Sequence, residues 1–354
     1  MNIDKRINAF AALGSRIISE TSQISNSDLS IVIENAHIHN PWFTPNNVRN
    51  ALNAIALQWL NNETLGKWIT SYPMDNINPA MPKWVGVIMA GNIPLVGFHD
   101  LMCVLMSGNR FIGKFSSKDG NLMQTIAKML IEIEPEFANY IEITESQLKG
   151  FDAVIATGSD NTSRYFDYYF KNYPSIIRKH RNSIAIITGD ETASDFEQLS
   201  NDIFTYFGLG CRNVSKLLVP KGYSYTHMLD NFAQWSNLIN HNKYANNYEY
   251  NRAIYTMNQV MHLDTGYLIA TPSEAIESPV GVLFYQEYGT IKDAVEYIDQ
   301  NEERVQCIVG NANTHPKAIP FGTTQSPKIN DYADGVDTME FLIQMQDFGQ
   351  KTSA

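Results

Sequence analysis

From residue 84 onward, short apolar runs alternate with amphipathic stretches, and this alternation restricts the chain to a narrow group of folds. "WVGVIMA" (84–90), "RFIGKFS" (110–116) and "SIAIITG" (183–189) have the length and composition of buried strands. The stretches between them, such as "NLMQTIAKMLIEI" and "SDFEQLSNDIFTYF", have helical spacing of apolar residues. Strands that alternate with helices form parallel sheets with helices on both faces. We therefore predict an α/β fold with mostly parallel sheets covered by helices.

The chain length predicts two domains. The 354 residues exceed what one hydrophobic core usually serves. The first eighty residues have the pattern of helices and loops, and "NVRNALNAIALQWL" places apolar residues near one helical face. We place the boundary near residue 205, which gives a first domain over 1–205 and a second over 206–354.

Charge and cysteine content exclude several classes of partner. Acidic residues outnumber basic ones 37 to 26, for a net charge of −11, so nucleic acid is not expected as a partner. The three cysteines, Cys103, Cys211 and Cys307, lie far apart without metal-ligand spacing, which predicts no metal site and a reducing compartment. The chain shows neither a signal peptide nor an apolar stretch long enough for a bilayer. We expect a cytoplasmic protein without an integral membrane segment.

Two common nucleotide-binding motifs are matched only in part. "GNRFIGKF" (108–115) has the spacing of a P-loop, but Phe115 stands where Ser or Thr is needed, and a helix precedes it. "GLGCRN" resembles the first half of a dinucleotide fingerprint, but Asn213 replaces its last glycine. Neither motif is therefore assigned.

Three strands end in turns that suit ligand binding. An Asn after the first strand can donate to an oxyanion, or simply cap a helix. Two lysines and two serines after the second strand can hold ribose and phosphate oxygens, or form an exposed basic edge. The third turn opens a helix whose N–H groups suit a pyrophosphate, although many such turns bind nothing. The candidate residues are Ala90, Gly91, Asn92, Lys114, Ser116, Ser117, Thr157, Gly158 and Ser159.

Cys211 is the candidate nucleophile. Gly208 and Gly210 precede it and leave its sulfur with little shielding from its neighbours. The adjacent Arg212 can favour the reactive thiolate if it points inward. Cys103 in "LMCVLM" and Cys307 in "VQCIVG" have the apolar surroundings of inert packing residues.

The order of these segments resembles the aldehyde dehydrogenase superfamily, and more closely the LuxC-type acyl-CoA reductases. The resemblance covers roughly residues 80–345 and includes "IPFGTTQSPKINDYADGVDTMEFL" (319–342). It implies that Cys211 is the nucleophile and that Asn92 completes an oxyanion hole. It assigns cofactor binding to the first domain and catalysis to the second, with Lys114 on the adenosine ribose and Ser159 near the pyrophosphate. It also implies a homodimer.

Two departures from the superfamily pattern refine the expected reaction. Ser117 stands where NAD-preferring relatives commonly carry a glutamate, and Lys118 adds a positive charge, so NADPH is favoured and NADH is the alternative. The stretch that holds a general-base glutamate in acid-forming relatives is "IIRKHRNS" here. Its basic residues either contact phosphates of CoA or of the cofactor, or form a solvated turn.

The resemblance therefore implies an enzyme that reduces a long-chain acyl thioester, carried by CoA or an acyl carrier, to the aldehyde. Two alternatives stay open. One is a short-chain CoA-acylating aldehyde dehydrogenase. The other is a catalytically silent protein that binds nucleotide or acyl groups.

Overall fold

The computed structural model describes residues 1–77, 80–116, 118–158 and 160–348. The chain forms two compact units. The first comprises residues 1–179 together with 327–354, and the second comprises residues 180–326. The chain therefore leaves the first unit once and returns to it near its end.

The first unit begins with four helices whose starts are set by capping side chains. Asn2, Ser27, Thr44 and Asn61 each accept a hydrogen bond from the amide three residues later, as N-cap residues do. Their apolar faces pack into one core with the following sheet. The helices are α1 (Ile3–Thr21), α2 (Asp28–His39), α3 (Pro45–Gln58) and α4 (Asn62–Ile69).

A five-stranded parallel sheet follows, with strand order β3-β2-β1-β4-β5. Its strands are short and mostly buried because helices cover them, as the alternating pattern predicts. The elements are β1 (Trp84–Ile88), α5 (Phe98–Met106), β2 (Arg110–Lys114), α6 (Gly120–Ile133), β3 (Ile141–Ile143), β4 (Ala153–Thr157), α7 (Asp160–Phe170) and β5 (Ser175–Arg178).

The second unit contains a seven-stranded sheet with order β12-β11-β6-β7-β10-β9-β8, parallel except for β8 against β9. The elements are β6 (Asn182–Ile186), α8 (Ala193–Phe204), β7 (Val214–Pro220), α9 (Thr226–Asn231), α10 (Asn242–Met257), β8 (Leu263–Asp264), β9 (Ile269–Pro272), β10 (Val282–Tyr288), α11 (Ile291–Gln300), β11 (Val305–Val309) and β12 (Ala318–Ile319).

The last segment completes the core of the first unit. Its helix α12 (Thr338–Phe348) buries Met339 and Leu342 against the residues of α5 and the first sheet. Before that helix, the hydroxyl of Tyr332 accepts a hydrogen bond of 2.8 Å from Trp68 Nε1 and lies 2.5 Å from the hydroxyl of Tyr72. The "DYADGVDT" stretch is therefore part of the first unit's framework.

The division of the chain differs from the boundary expected near residue 205. That position falls inside the second unit, between α8 and β7. The reason is that β6 hydrogen-bonds to both β7 and β11 and so belongs to the second sheet. The prediction from local pattern had no means of assigning β6 to one sheet or the other.

Candidate active site

The strand order of the first sheet brings three predicted turns to one edge. β1 lies between β2 and β4, and Ile88 near its end pairs with Lys114 on one side and Ala156 on the other. The segments that follow these three strands therefore lie next to one another, and we call this region the carboxyl edge. It includes the topological switch point, since β2 and β3 lie on one side of β1 and β4 and β5 on the other. Open α/β sheets bind ligands at such a point.

Gly91 lies where two of these segments approach closely. A Cβ atom at this position would lie 2.4 Å from Ser116 Oγ and 3.2 Å from Lys118 Cβ. The carbonyl of Gly91 accepts a hydrogen bond of 3.3 Å from Asn40 Nδ2. Glycine is thus needed at 91 because the loop after β2 occupies the space of a side chain.

The remaining predicted residues of the carboxyl edge are partly exposed. Lys114 and Thr157 are the last residues of β2 and β4, and the amide of Gly158 donates to the carbonyl of Arg178 over 3.4 Å. Ala90 and Ser116 are also partly exposed. Ser117 and Ser159 lie outside the described residues. The structure thus brings together the described residues of this predicted set.

Asn92 is exposed in the connection between β1 and α5. A hydrogen bond to the buried carboxyl group of Asp119 fixes this connection. The amide of Leu95, a residue with a φ of 58°, donates to Asp119 Oδ2 over 3.2 Å. Asp119 is 4% exposed, and burial raises the pKa of its carboxyl well above the ordinary value. Sequence reasoning missed Asp119, although its place directly before α6 is typical of a residue that binds a backbone amide.

The basic stretch 178–181 does not form a single basic surface. Arg178 is buried at the end of β5 and donates to both carboxylate oxygens of Asp100, over 2.6 and 2.7 Å, and to Thr338 Oγ1. Arg181 donates to the carbonyls of Glu302 and Val305. The buried ion pair with Asp100 removes Arg178 from both alternatives for this stretch, whereas Lys179 and His180 are exposed.

In the second unit, Cys211 lies in a tight turn. The amide of Asn213 donates to the carbonyl of Gly210 over 3.0 Å, so Cys211 and Arg212 are the two central residues of a β-turn. We call residues 210–213 the cysteine turn. Cys211 is partly exposed, whereas Cys103 and Cys307 are buried, as predicted for packing residues.

The backbone before the cysteine turn is left-handed. Tyr206 and Phe207 have φ values of 54° and 59°, and Gly208 follows with 75°. A non-glycine residue in this region costs roughly 1–2 kcal/mol, and such residues concentrate at functional sites. The glycine at 208 was anticipated as a means of exposing the sulfur, but the two left-handed aromatic residues were not.

Side-chain hydrogen bonds connect the cysteine turn to the sheet and to the segment 320–324. Ser183 Oγ donates to the carbonyl of Cys211 over 3.1 Å. Arg212 Nε donates to the carbonyl of Thr324 over 2.6 Å, so this contact ties Arg212 to the backbone of the 320–324 segment. Asp202 accepts hydrogen bonds from the amide of Gly322 and from Thr324. Burial raises the pKa of the Asp202 carboxyl, although these hydrogen bonds oppose the rise.

Within the described ranges, no group of three or more His, Cys, Asp or Glu side chains is placed to bind a metal ion. Among the helices of those same ranges, none combines the length and apolarity needed to cross a membrane.

Comparison with known proteins gives one family and a consistent fold. A model of the family described as acyl-CoA reductase (LuxC) matches residues 42–310, more than half of the chain. No curated protein matches. Among solved structures, aldehyde dehydrogenase 21 from Physcomitrella patens, in complex with succinate, superimposes with a TM-score of 0.68 at 12% identity, covering 98% of this chain and 84% of that one.

Two further structures agree with this fold. An NAD-dependent aldehyde dehydrogenase from Sinorhizobium meliloti gives a TM-score of 0.64 at 13% identity, over 89% of this chain and 72% of that chain. A propionaldehyde dehydrogenase from Clostridium phytofermentans gives 0.60 at 11% identity, over 89% and 80%. At these identities the similarity establishes the fold, which is that of the aldehyde dehydrogenases.

Proposed function

This chain belongs to the LuxC family of acyl-CoA reductases, and we propose that it reduces a long-chain acyl thioester to the aldehyde with NADPH, using Cys211 as the nucleophile. The observation that carries the proposal is the geometry of Cys211, a partly exposed cysteine held in a tight turn after a left-handed backbone segment. The family itself supports the coarser statement that the chain is an oxidoreductase acting on acyl thioesters with a nicotinamide cofactor.

In the proposed reaction the thiolate of Cys211 attacks the thioester carbonyl. A carbon–sulfur bond forms to Cys211. The family resemblance implies that the oxygen of the tetrahedral intermediate accepts a hydrogen bond from the side-chain amide of Asn92. Removal of one such donor typically slows a reaction by about 100- to 1000-fold. The intermediate collapses when the bond to the sulfur of CoA breaks, and the acyl group stays on Cys211 as a thioester.

The carboxyl edge suits the cofactor that the family implies. The backbone of Gly91 is partly exposed beside the hydroxyl of Ser116, and Lys114 ends the neighbouring strand β2. When bound, the reduced nicotinamide supplies the hydride that converts the acyl group to a thiohemiacetal on Cys211. That species releases the aldehyde and restores the thiolate. We assign cofactor binding to the first unit and the catalytic nucleophile to the second.

We propose NADPH over NADH on the charge near the ribose position. Lys118 is exposed next to Ser116, whose Oγ accepts a hydrogen bond from the Lys118 amide over 3.3 Å. Its ammonium can pair with a 2′-phosphate. NADH is the alternative.

The preference for reduction over hydrolysis is supported by the residues that replace the general-base glutamate. Arg178 is buried against Asp100 and cannot activate water. His180 is the first residue of the second unit, and its Nε2 lies 3.4 Å from Glu277 Oε1. An acyl group on Cys211 that meets no activated water persists until a hydride reaches it.

The substrate and the cellular setting complete the proposal. The short-chain alternative follows the same steps, and the structural similarity to a propionaldehyde dehydrogenase concerns the fold alone. We propose a homodimer, as the superfamily implies, and a cytoplasmic enzyme, because the three cysteines are odd in number and far apart in the sequence.

The test is a steady-state assay of cofactor oxidation with acyl-CoA substrates of graded length. We expect the highest kcat/KM with long chains and NADPH, with aldehyde formed in equal amount. A maximum of kcat/KM with the shortest acyl chains, of about two to three carbons, would favour the short-chain alternative. Turnover to free acid would contradict the proposed role of Cys211 as a hydride-accepting acyl carrier.

A further inference from the structure

The side chain of Asn213 binds three carbonyls at the end of the preceding helix and one amide within the cysteine turn. Its Nδ2 donates to the carbonyls of Asp202 and Thr205, each over 2.9 Å, and shares one of its two hydrogens with the carbonyl of Ile203 over 3.3 Å. Its Oδ1 accepts from the amide of Gly210 over 2.8 Å. The side chain is 2% exposed.

The bonds from Nδ2 supply donors to carbonyls at the end of α8. The last carbonyls of a helix lack intrahelical donors, and a glycine-terminated helix supplies them from the amides that follow. Here α8 ends at Phe204, and the chain turns left-handed over residues 206–208. The amide group of Asn213 supplies donors to the carbonyls at the end of α8 instead.

The same side chain determines where Cys211 lies relative to α8. Its Oδ1 fixes the amide of Gly210, and its own backbone N–H closes the turn on the carbonyl of Gly210. Cys211 lies between these two anchored residues. A displacement of about 1 Å in a reacting group can cost about 100-fold in rate.

We infer that Asn213 is the positioning residue of the nucleophile, which sets the placement of Cys211 from within the protein and does not touch the substrate. The inference rests on the proposed role of Cys211. Only a carboxamide has both the donors and the acceptor for this arrangement, because a carboxylate cannot donate and a hydroxyl is too short to span both ends.

The test compares Asn213→Ala and Asn213→Asp with Asn251→Ala. Asn251 is a matched control, since it is 8% exposed in the same unit and its Nδ2 donates to the carbonyl of Val280 over 3.2 Å, away from the cysteine turn in sequence. Two quantities are measured below the melting temperature of each variant. One is the rate of iodoacetamide alkylation of Cys211 from about pH 6 to about pH 10, located by peptide mass mapping. The other is kcat and KM with acyl-CoA.

Both Asn213 variants are expected to lower kcat by about 100-fold with KM changed by less than about 3-fold, and to shift the pH profile of alkylation. Asn251→Ala is expected to lower the melting temperature alone. If the Asn213 variants match Asn251→Ala in kcat and in the alkylation profile, the inference is wrong. Should the Ala variant not fold, Asn213→Ser, which keeps one polar group, decides the same comparison.

Failure of the proposed function gives a different result. If the wild-type enzyme does not turn over acyl-CoA, that function is contradicted, while the alkylation profiles still show whether Asn213 sets the reactivity of Cys211. The buried Cys103 and Cys307 serve as internal references, because their alkylation reports unfolding.

Discussion

The carboxyl edge of the first unit and the cysteine turn of the second unit are built by different interactions. Strand order and backbone pairing assemble the carboxyl edge, and its described residues are partly exposed. The buried polar side chains of Asn213 and Ser183 hold the cysteine turn, and that of Asp202 holds the segment 322–324, which Arg212 contacts. We therefore expect cofactor binding at the edge to be spread over several residues, and the reactivity of Cys211 to depend on a few.

The largest expected effect tests the cysteine turn at its centre. Cys211→Ser should lower kcat for acyl-CoA reduction by at least about 1000-fold, because the hydroxyl is a far weaker nucleophile than a thiolate. Cys307→Ser should leave kcat within about 3-fold, since that thiol is buried packing. Steady-state cofactor oxidation measures both. Equal losses of kcat in the two variants would contradict the role of Cys211 as the nucleophile.

A smaller effect is expected from crowding the carboxyl edge. Gly91→Ala places a Cβ 2.4 Å from Ser116 Oγ and must displace the loop after β2. We expect KM for the cofactor to rise by about 10-fold with kcat changed less. Gly66→Ala is the matched control, because no atom lies within 4 Å of a Cβ added there. In helix α4 that change should stabilise the protein by up to about 1 kcal/mol. An unchanged cofactor KM in Gly91→Ala would argue against binding at this edge.

Cofactor selectivity should respond more weakly, since Lys118 is exposed. Lys118→Ala should raise KM for NADPH by about 5-fold and leave KM for NADH unchanged, because one charged contact to the 2′-phosphate is lost in high-dielectric surroundings. Parallel titrations with the two cofactors measure the ratio. A uniform rise for both would mean that Lys118 does not discriminate between them.

The smallest effect concerns the stability contributed by Asp119. Its pKa is raised in the folded protein, so the folded state retains a proton that the unfolded state loses above about pH 4. The contribution of this carboxyl to the free energy of unfolding is therefore fully present at low pH and is lost as pH rises toward the folded pKa. Asp119→Asn should remove that loss, so the variant should gain stability relative to wild type between about pH 4 and pH 7. Urea unfolding of both proteins at the two pH values measures this gain. A difference in free energy of unfolding that is the same at both pH values would contradict a raised pKa of Asp119.

Local sequence pattern predicted most of the strands and helices but not all of their partners. The Asn- and Tyr-rich residues 242–257 form the helix α10, which buries Tyr244 and Tyr248. Leu57, placed near the apolar face of α3, is 63% exposed. The short β5 was missed because "SIIR" lies beside a basic run that has the composition of a turn.

The site was predictable to the extent that it depends on strand ends. Parallel strands place their carboxyl ends together, so the turns after 88, 114 and 157 could be grouped from pattern alone. Arg178 and Asn213 could not be interpreted in this way. Their partners, Asp100 and Thr338 for the first and the end of α8 for the second, are selected by tertiary packing at a distance along the chain.

The most direct test of the account is the intact mass of the protein after incubation with long-chain acyl-CoA in the absence of reduced cofactor. The account predicts a gain of one acyl group that is absent in Cys211→Ser and that disappears, with release of aldehyde, when NADPH is added. A protein that gains no acyl group with any chain length, or that gains it equally in Cys211→Ser, would contradict the claim that Cys211 carries the acyl group.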